Sequence, residues 1–271
     1  MRSAPVFLLL LVAACSNGGD ADTAASSDDV NGGLPAKKSP AVGLLVSSDG
    51  KMCSGTLIAP RWVLTAGHCA GGMTDFYTGA GSPTSTYESI DAALASMARH
   101  PTAMGGVAHP SYVFDEQTCP ARGPDVALVE LAAPVTDIAP VSIVPLSAAG
   151  PVWCQPVGFG MHETDTGATI AEKRFTTESV TGITPDVIST KRVQGHWLYG
   201  MSAPGDSGGP LFCSVTRTAN GRVPPPPSSE PGEGEGLSAV TSCGATASEG
   251  VYALVTPVMD WIRETTHGEV R

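Results

Sequence analysis

From Pro40 onward the chain alternates short apolar runs with turn residues; Ala41 to Val46, Gly55 to Ile58, Trp62 to Thr65, Val126 to Leu131 and Val152 to Gly158 are the clearest. Runs of this length, bounded by Gly, Pro, Ser and Asp, suit strands and are short for helices. The pattern changes only near the end. Pro257 opens a segment in which Val258, Trp261 and Ile262 fall on one face, which predicts a helix over Val258 to Thr266. Before it lies Arg217 to Gly236, with Pro224-Pro225-Pro226-Pro227 and alternating Gly and Glu. That composition reads as a solvated surface insertion of polyproline character. No internal repeat is strong enough to organise the chain.

Composition agrees with this pattern. Of 271 residues only 15% are charged, while Gly (32) and Pro (23) are abundant. That favours many short strands joined by turns over a helical bundle. The net charge of −11 argues against nucleic acid or an anionic membrane surface as a partner, because both attract basic proteins.

At the amino terminus Arg2 precedes the unbroken apolar stretch Val6 to Ala14, which is too short to span a bilayer core of about 30 Å. Residues 1–14 therefore read as an export signal. The stretch ends Val12-Ala13-Ala14-Cys15, which resembles a bacterial lipobox. On that reading Cys15 carries lipid and is the only tie to a membrane, in the periplasm or at the outer membrane. The alternative is an ordinary secretory signal, since Val-x-Ala also suits the general signal peptidase. There are seven cysteines, and assigning Cys15 to lipid leaves an even number for disulfides in an oxidising compartment. Residues 15–39 hold Gly, Ala, Ser and Asp and little that is apolar. Such a segment reads as a flexible tether.

Three motifs carry chemistry. In Gly205-Asp206-Ser207-Gly208-Gly209-Pro210 a hydroxyl is flanked by glycines, which let the backbone turn sharply and approach a substrate. The N–H groups of Gly205 and Ser207 can then point at one developing oxyanion. In Trp62-Val63-Leu64-Thr65-Ala66-Gly67-His68-Cys69 a histidine closes an apolar strand beside a cysteine. In Pro124-Asp125-Val126-Ala127-Leu128-Val129-Glu130-Leu131 an acid opens an otherwise apolar strand. A buried carboxylate is costly without hydrogen bonds, and the expected partner of Asp125 is the Nδ1–H of His68, fixing its tautomer for attack through Nε2.

With these motifs in the order His68, Asp125, Ser207, the sequence resembles the chymotrypsin/trypsin-like serine proteases over about Val30 to Thr266. Cys53-Ser54-Gly55-Thr56-Leu57-Ile58 is similar to the family's Cys-Gly-Gly-Ser-Leu-Ile strand, Cys154-Gln155-Pro156-Val157-Gly158-Phe159-Gly160 to Cys-x-x-x-Gly-Trp-Gly, and Thr241-Ser242-Cys243-Gly244 to Val-Ser-Trp-Gly. Gly250-Val251-Tyr252 and the closing Trp261-Ile262 match as well. The resemblance implies an all-β fold of two six-stranded antiparallel Greek-key barrels, about 40–145 and 146–256, with a C-terminal α-helix at 257–267. The active site is then in the cleft between them. It implies disulfides Cys53–Cys69 and Cys154–Cys213, and a contact from Ser242 to Asp125. The implied activity of domain 40–268 is hydrolysis of polypeptide substrates by a monomer, with no cofactor and no metal. His100, His162, His196 and His267 lack metal-ligand spacing, and His109-Pro110-Ser111-Tyr112 matches a structural stretch before the family's catalytic aspartate.

Departures from the family pattern carry their own expectations. Met201, six residues before Ser207, stands at the floor of the specificity pocket, where aspartate selects Arg and Lys. With Ser202, Ser242, Cys243, Gly244 and Gly250 it is expected to line a site for an apolar P1 side chain; Glu249, near the pocket, is the one charge that would change this. Cys119 and Cys243 remain after the two family disulfides, and a Cys119–Cys243 bridge is expected, with free thiols as the alternative. Family zymogens are cut before Ile-Val-Gly-Gly, and the new ammonium pairs with the aspartate preceding the nucleophile, here Asp206. The nearest match is Asp29-Val30-Asn31-Gly32-Gly33, with Asp29 where Ile belongs and no Lys or Arg between Arg2 and Lys37. Either a protease of other specificity cuts near Val30, or another cation, Lys37 or Lys38, serves Asp206. An active endopeptidase, a silent binding protein of the same fold, and an esterase are the three readings left.

Overall fold

The computed structural model describes residues 33–84, 90–114, 122–147, 150–164, 167–193, 200–232, 234–246 and 248–270. The export signal, Cys15, His196 and Cys119 lie outside the described residues, as do Asp29 and Val30. The first half contains β1 (Leu34–Pro35), β2 (Val42–Ser47), β3 (Met52–Ala59), β4 (Trp62–Thr65), β5 (Met73–Thr78), β6 (Gly81–Thr84), helix α1 (Ile90–Leu94), β7 (Ala98–Pro101), β8 (Val107–Ala108) and β9 (Ala127–Glu130). The second contains β10 (Pro151–Gly158), β11 (His162–Thr164), β12 (Gly167–Glu172), β13 (Arg174–Phe175), β14 (Glu178–Ile183), β15 (Val187–Arg192), β16 (Pro210–Thr216), β17 (Leu237–Thr246), β18 (Glu249–Leu254) and helix α2 (Met259–Thr265).

Seven strands form the first sheet in the order β7-β5-β2-β3-β4-β9-β8. Just past β7, Thr102 bridges Leu131 and Ala103 N donates to Glu130 O at 2.8 Å, which curls that edge towards β9. Leu45, Leu57, Val63, Phe76 and Val129 fill its interior. The second sheet closes more completely: β10-β14-β15-β18-β17-β16 is a six-stranded ring, since β10 pairs with both β14 and β16. Cys154, Ile188, Leu211, Ala239 and Tyr252 pack inside it. The chymotrypsin-like architecture is therefore observed, with a closed six-stranded second barrel beside a half-barrel first sheet of seven strands where six were expected.

Every residue of β3 is buried, which two-sided packing explains: alternate side chains enter the first barrel or the seam between barrels. Val42, Leu44, Leu64 and Val126 from one side meet Val157, Phe159, Phe212 and Val240 from the other in that seam. A 3₁₀ turn at Thr256–Val258 carries Pro257 and leads into α2; Val258 and Ile262 join the same cluster. The helix thus begins slightly later than the apolar pattern predicts, because the proline turn tightens its start.

Two segments are more firmly held than their composition suggests. Leu34–Pro35 pairs with Arg174–Phe175, so the last residues of the expected tether belong to the fold. The proline-rich insertion is a strap on the second barrel: Pro224 O accepts from Trp153 Nε1 at 2.8 Å, Ser229 O from Gln155 Nε2 at 2.8 Å, and Pro227 O from Thr177 Oγ1 at 3.1 Å. Polyproline backbone makes no internal hydrogen bonds, so its carbonyls are free for such partners. The strap's Glu230 accepts from the backbone N–H groups of Lys37 (2.6 Å) and Lys38 (2.7 Å) and from Ser39 Oγ.

Candidate active site

His68 sits in a one-turn 3₁₀ segment, Gly67–Cys69, directly after β4. A disulfide from Cys69 to Cys53 ties that turn to β3. Asp125 precedes β9, which pairs with β4 in register, so neighbouring strands deliver both side chains to one edge of the first barrel. Asp125 Oδ2 lies 2.8 Å from His68 Nδ1, and Asp125 Oδ1 accepts from the His68 backbone N–H at 2.9 Å. From the second barrel Ser242 Oγ donates to Asp125 Oδ2 at 2.6 Å. Burial pushes the Asp125 carboxyl up, but the hydrogen bond and charge of His68, with help from Ser242, hold it below the ordinary range. The approach is close: a Cβ on Gly67 would stand 3.0 Å from Asp125 Oδ1 and 2.9 Å from the Tyr112 ring.

Ser207 lies on the turn that leads into β16. Ser207 O accepts from Ser54 N at 2.8 Å and lies 3.7 Å from Cys69 Sγ, which brings the serine turn against the histidine turn. The Ser207 hydroxyl makes no hydrogen bond among the described residues and is free to rotate; such bonds often tighten only with substrate bound. The turn's other N–H groups are engaged: Asp206 donates to Ala203 O, Gly208 to Thr241 O and Gly209 to Asp206 O, each at 2.8 Å. Those of Gly205 and Ser207 have no acceptor among the described residues, the condition for a pair of donors aimed at an oxyanion. Gly205 has φ +100°, and a Cβ there would lie 3.1 Å from Gly160 Cα.

Asp206 has no cation partner among the described residues. Its carboxylate accepts from Gly160 N at 2.7 Å and Ala203 N at 2.9 Å, while burial pushes it up to about 6. Beside it is a cavity of about 30 Å³ whose lining includes Met161, His162, Arg174, Phe175 and Met201, room for about one water molecule. Lys37 and Lys38 are exposed, tied by their backbones to Glu230, and form no ion pair with Asp206. The expectation that one of them serves it finds no contact here.

Met201 and Ala203 are buried and Ser202 is half-buried. Cys243 pairs with Val251 and Gly244 with Gly250, which places these expected residues on the neighbouring strands β17 and β18. Cys154–Cys213 is bridged. Cys243 is also disulfide-bonded, and its expected partner Cys119 lies outside the described residues. Glu249 is exposed at the start of β18 and brings no buried charge. Glu178 does: it is fully buried, at the start of β14. No motif marked it, and only its pairing with buried Cys154 turns it inward. Cys53, His68 and Cys69 place ligand-type atoms within 4.8 Å of one another, but the two sulfurs are bonded together, so neither is a thiolate for a metal.

Two barrels with a histidine–carboxylate pair on one and a glycine-flanked serine on the other define a chymotrypsin-like serine hydrolase fold. The trypsin family model matches residues 30–262, and the chain belongs to that family. It is 26% identical over 83% of its length to snake venom serine protease catroxase-1 of Crotalus atrox, of which it covers 80%. It is 31% identical over 79% of its length to mouse serine protease 56, of which it spans only 34%. Mouse neuropsin has a similar fold, with a TM-score of 0.61 at 20% identity over 86% of this chain and 98% of that one. The protein is a serine-type endopeptidase. No described helix is long and apolar enough to cross a membrane.

Proposed function

We propose that peptide bonds are cleaved through a His68–Asp125–Ser207 triad and an acyl-enzyme. The Asp125 carboxylate carries this reading: it takes hydrogen bonds from the ring and the backbone of His68. An acceptor on Nδ1 leaves Nε2 as the basic nitrogen, which removes the Ser207 proton as the hydroxyl attacks and later returns it to the leaving amine. Negative charge on the carbonyl oxygen is met by the N–H groups of Gly205 and Ser207. Ser242 fixes the aspartate from the opposite barrel, so closure of the cleft and orientation of the base are linked. Met201 at the pocket floor supports an apolar P1 residue over Arg or Lys.

The uncut zymogen is a second reading, and Asp206 favours it, since a half-buried carboxylate with only backbone donors among the described residues is incompletely compensated. Gly33 abuts Phe175 O, and Phe175 lines the cavity beside Asp206. Val30 lies three residues upstream, within about 10 Å of extended chain. A cut there delivers an ammonium to Asp206. Export, with lipid on Cys15 or after ordinary signal cleavage, and action as a monomer complete the proposal.

A fluorophosphonate probe with intact-mass detection tests it, beside Ser207→Ala. A single adduct lost in the variant supports the triad, and the mass reports the amino terminus. No adduct on a chain beginning at Val30 removes the endopeptidase mechanism and leaves a protease-fold binding protein.

A further inference from the structure

Arg174 and Asp206 line the same cavity of about 30 Å³, and each has an unmet need. Among the described residues the two Asp206 oxygens accept only from the backbone N–H groups of Gly160 and Ala203, one each, so both keep a lone pair for a further donor. Arg174 Nη1 pairs with Glu172 Oε2 at 2.6 Å and Nη2 donates to Gly33 O at 2.7 Å. Its Nε is buried with no hydrogen-bond partner among the described residues. An orphaned donor and a carboxylate without a cation both cost stability, and here they flank one space.

Strand register sets the reach. β13 pairs with β10 so that Arg174 stands opposite Gly158, and residues opposite one another in antiparallel strands share a face, with Cβ atoms about 5 Å apart. A Cβ on Gly158 would lie 2.1 Å from Asp206 Oδ1. The Arg174 side chain is therefore rooted within about 8 Å of that oxygen, a distance that an arginine spans, and glycine at position 158 leaves the way open. The present hold on the guanidinium is modest. Glu172 and Arg174 are 20% and 23% exposed, and an ion pair in contact with solvent contributes little. Glu172 also has His162 Nε2 at 3.4 Å and stays solvated when released. Asp206 gains more from a cation, because burial works against its charge, and its two oxygens suit a planar guanidinium. The other titratable groups facing it are His162 in the same cavity and Glu178 and Tyr252 from inside the second barrel. Glu178, once ionised, adds to the attraction for a positive charge.

We propose that Arg174 is the chain's own cation for Asp206: its guanidinium exchanges Glu172 and Gly33 for the Asp206 carboxylate and so supports the Gly205–Ser207 turn in the uncut chain. This rests on the endopeptidase reading and deepens it, since the protein then works without a cut near Val30. Arg174 is a positioning residue. It touches no substrate atom and acts through Asp206 on the N–H groups of Gly205 and Ser207. A cut before Val30 supplies an ammonium that competes for the same carboxylate, and Arg174 is then dispensable.

The test is the rate of fluorophosphonate labelling, read by intact mass on two forms: the chain that still carries residues upstream of Val30, and the chain beginning at Val30. The uncut native chain is expected to label. Arg174→Gln should slow that labelling by about tenfold or more, and Arg174→Lys should recover part of it. In the chain beginning at Val30, Arg174→Gln is expected to label at the native rate. Glu172→Gln separates this from a structural role: it releases Arg174, so labelling of the uncut chain should hold or quicken, whereas a Glu172–Arg174 pair that merely holds the fold would slow it in both variants. The inference is overturned by an uncut native chain that does not label while the cut one does, by Arg174→Gln labelling normally when uncut or slowing both forms equally, or by slowing in Glu172→Gln. If neither native form labels, the endopeptidase mechanism has failed instead. The pair is then read by urea unfolding of the uncut chain: the cost of Asp206→Asn is expected to shrink in an Arg174→Gln background, and an equal cost in both backgrounds overturns the inference.

Discussion

Replacing Glu178 with glutamine is expected to stabilise the protein at alkaline pH and to do nothing at acid pH. The native carboxyl is raised from 4.5 to about 7 by burial. The sign follows from proton linkage. Below about pH 4.5 the group is protonated in both folded and unfolded chains and contributes no difference. As pH rises the unfolded chain ionises first, so stability falls until the folded-state value near 7 is passed, and the full cost of about 3 kcal/mol is then in place. Asp206, pushed up to about 6 by its own burial, ionises within the same window and repels Glu178 further. Glutamine cannot ionise and can still accept from Thr190 and Tyr252. At about 2 to 4 °C per kcal/mol for a domain of this size, melting should rise by about 6 to 12 °C at pH 8.5 and stay within a degree or two at pH 4.5. Differential scanning calorimetry on a Ser207→Ala background, which removes self-digestion, measures both. Equal destabilisation at the two pH values would show that Glu178 contributes hydrogen bonds at an ordinary pKa, and would refute the reasoning. The expected outcome describes a carboxylate kept at a stability cost, as groups retained for activity often are.

Gly205→Ala places a Cβ against Gly160 at a φ of +100°, so the oxyanion donors move; kcat should fall by about 10² or more with little change in KM, and equal kcat would remove Gly205 from that role. Ser242→Ala deletes a 2.6 Å bond to Asp125; kcat/KM should drop by about tenfold, with Ser242→Thr recovering most of it if the hydroxyl is what matters. Replacing Cys53 and Cys69 by serine opens a loop with a sequence separation of 16 and should cost about 3 kcal/mol in urea unfolding. Lys37→Met with Lys38→Met should leave fluorophosphonate labelling unchanged, since both lysines are exposed; loss of labelling would assign one of them to Asp206.

Elements and motifs set by contiguous residues were legible in the sequence, and placements set by strand register were not. Short apolar runs place β2, β4 and β10 to within a residue or so, because a barrel strand is a local pattern of burial. Gly205 to Pro210 and Trp62 to Cys69 are contiguous, so backbone freedom and side-chain chemistry are written side by side. Arg217 to Gly236 is the opposite case: its composition describes a solvated loop, but the backbone carbonyls of Pro224, Ser229 and Pro227 meet Trp153, Gln155 and Thr177, three donors set far back in the chain. The same limit hid Glu178. In Thr176-Thr177-Glu178-Ser179-Val180 an acid within a polar run looks like a surface residue. Only the pairing of Glu178 with Cys154, and of β15 with β18, puts that carboxylate against Tyr252 and Thr190 inside the barrel. A shift of one residue in β14 would exchange it for Ser179 and leave Tyr252 without its anion. A motif can be read from contiguous residues, but a buried charge such as Glu178 is a property of strand register.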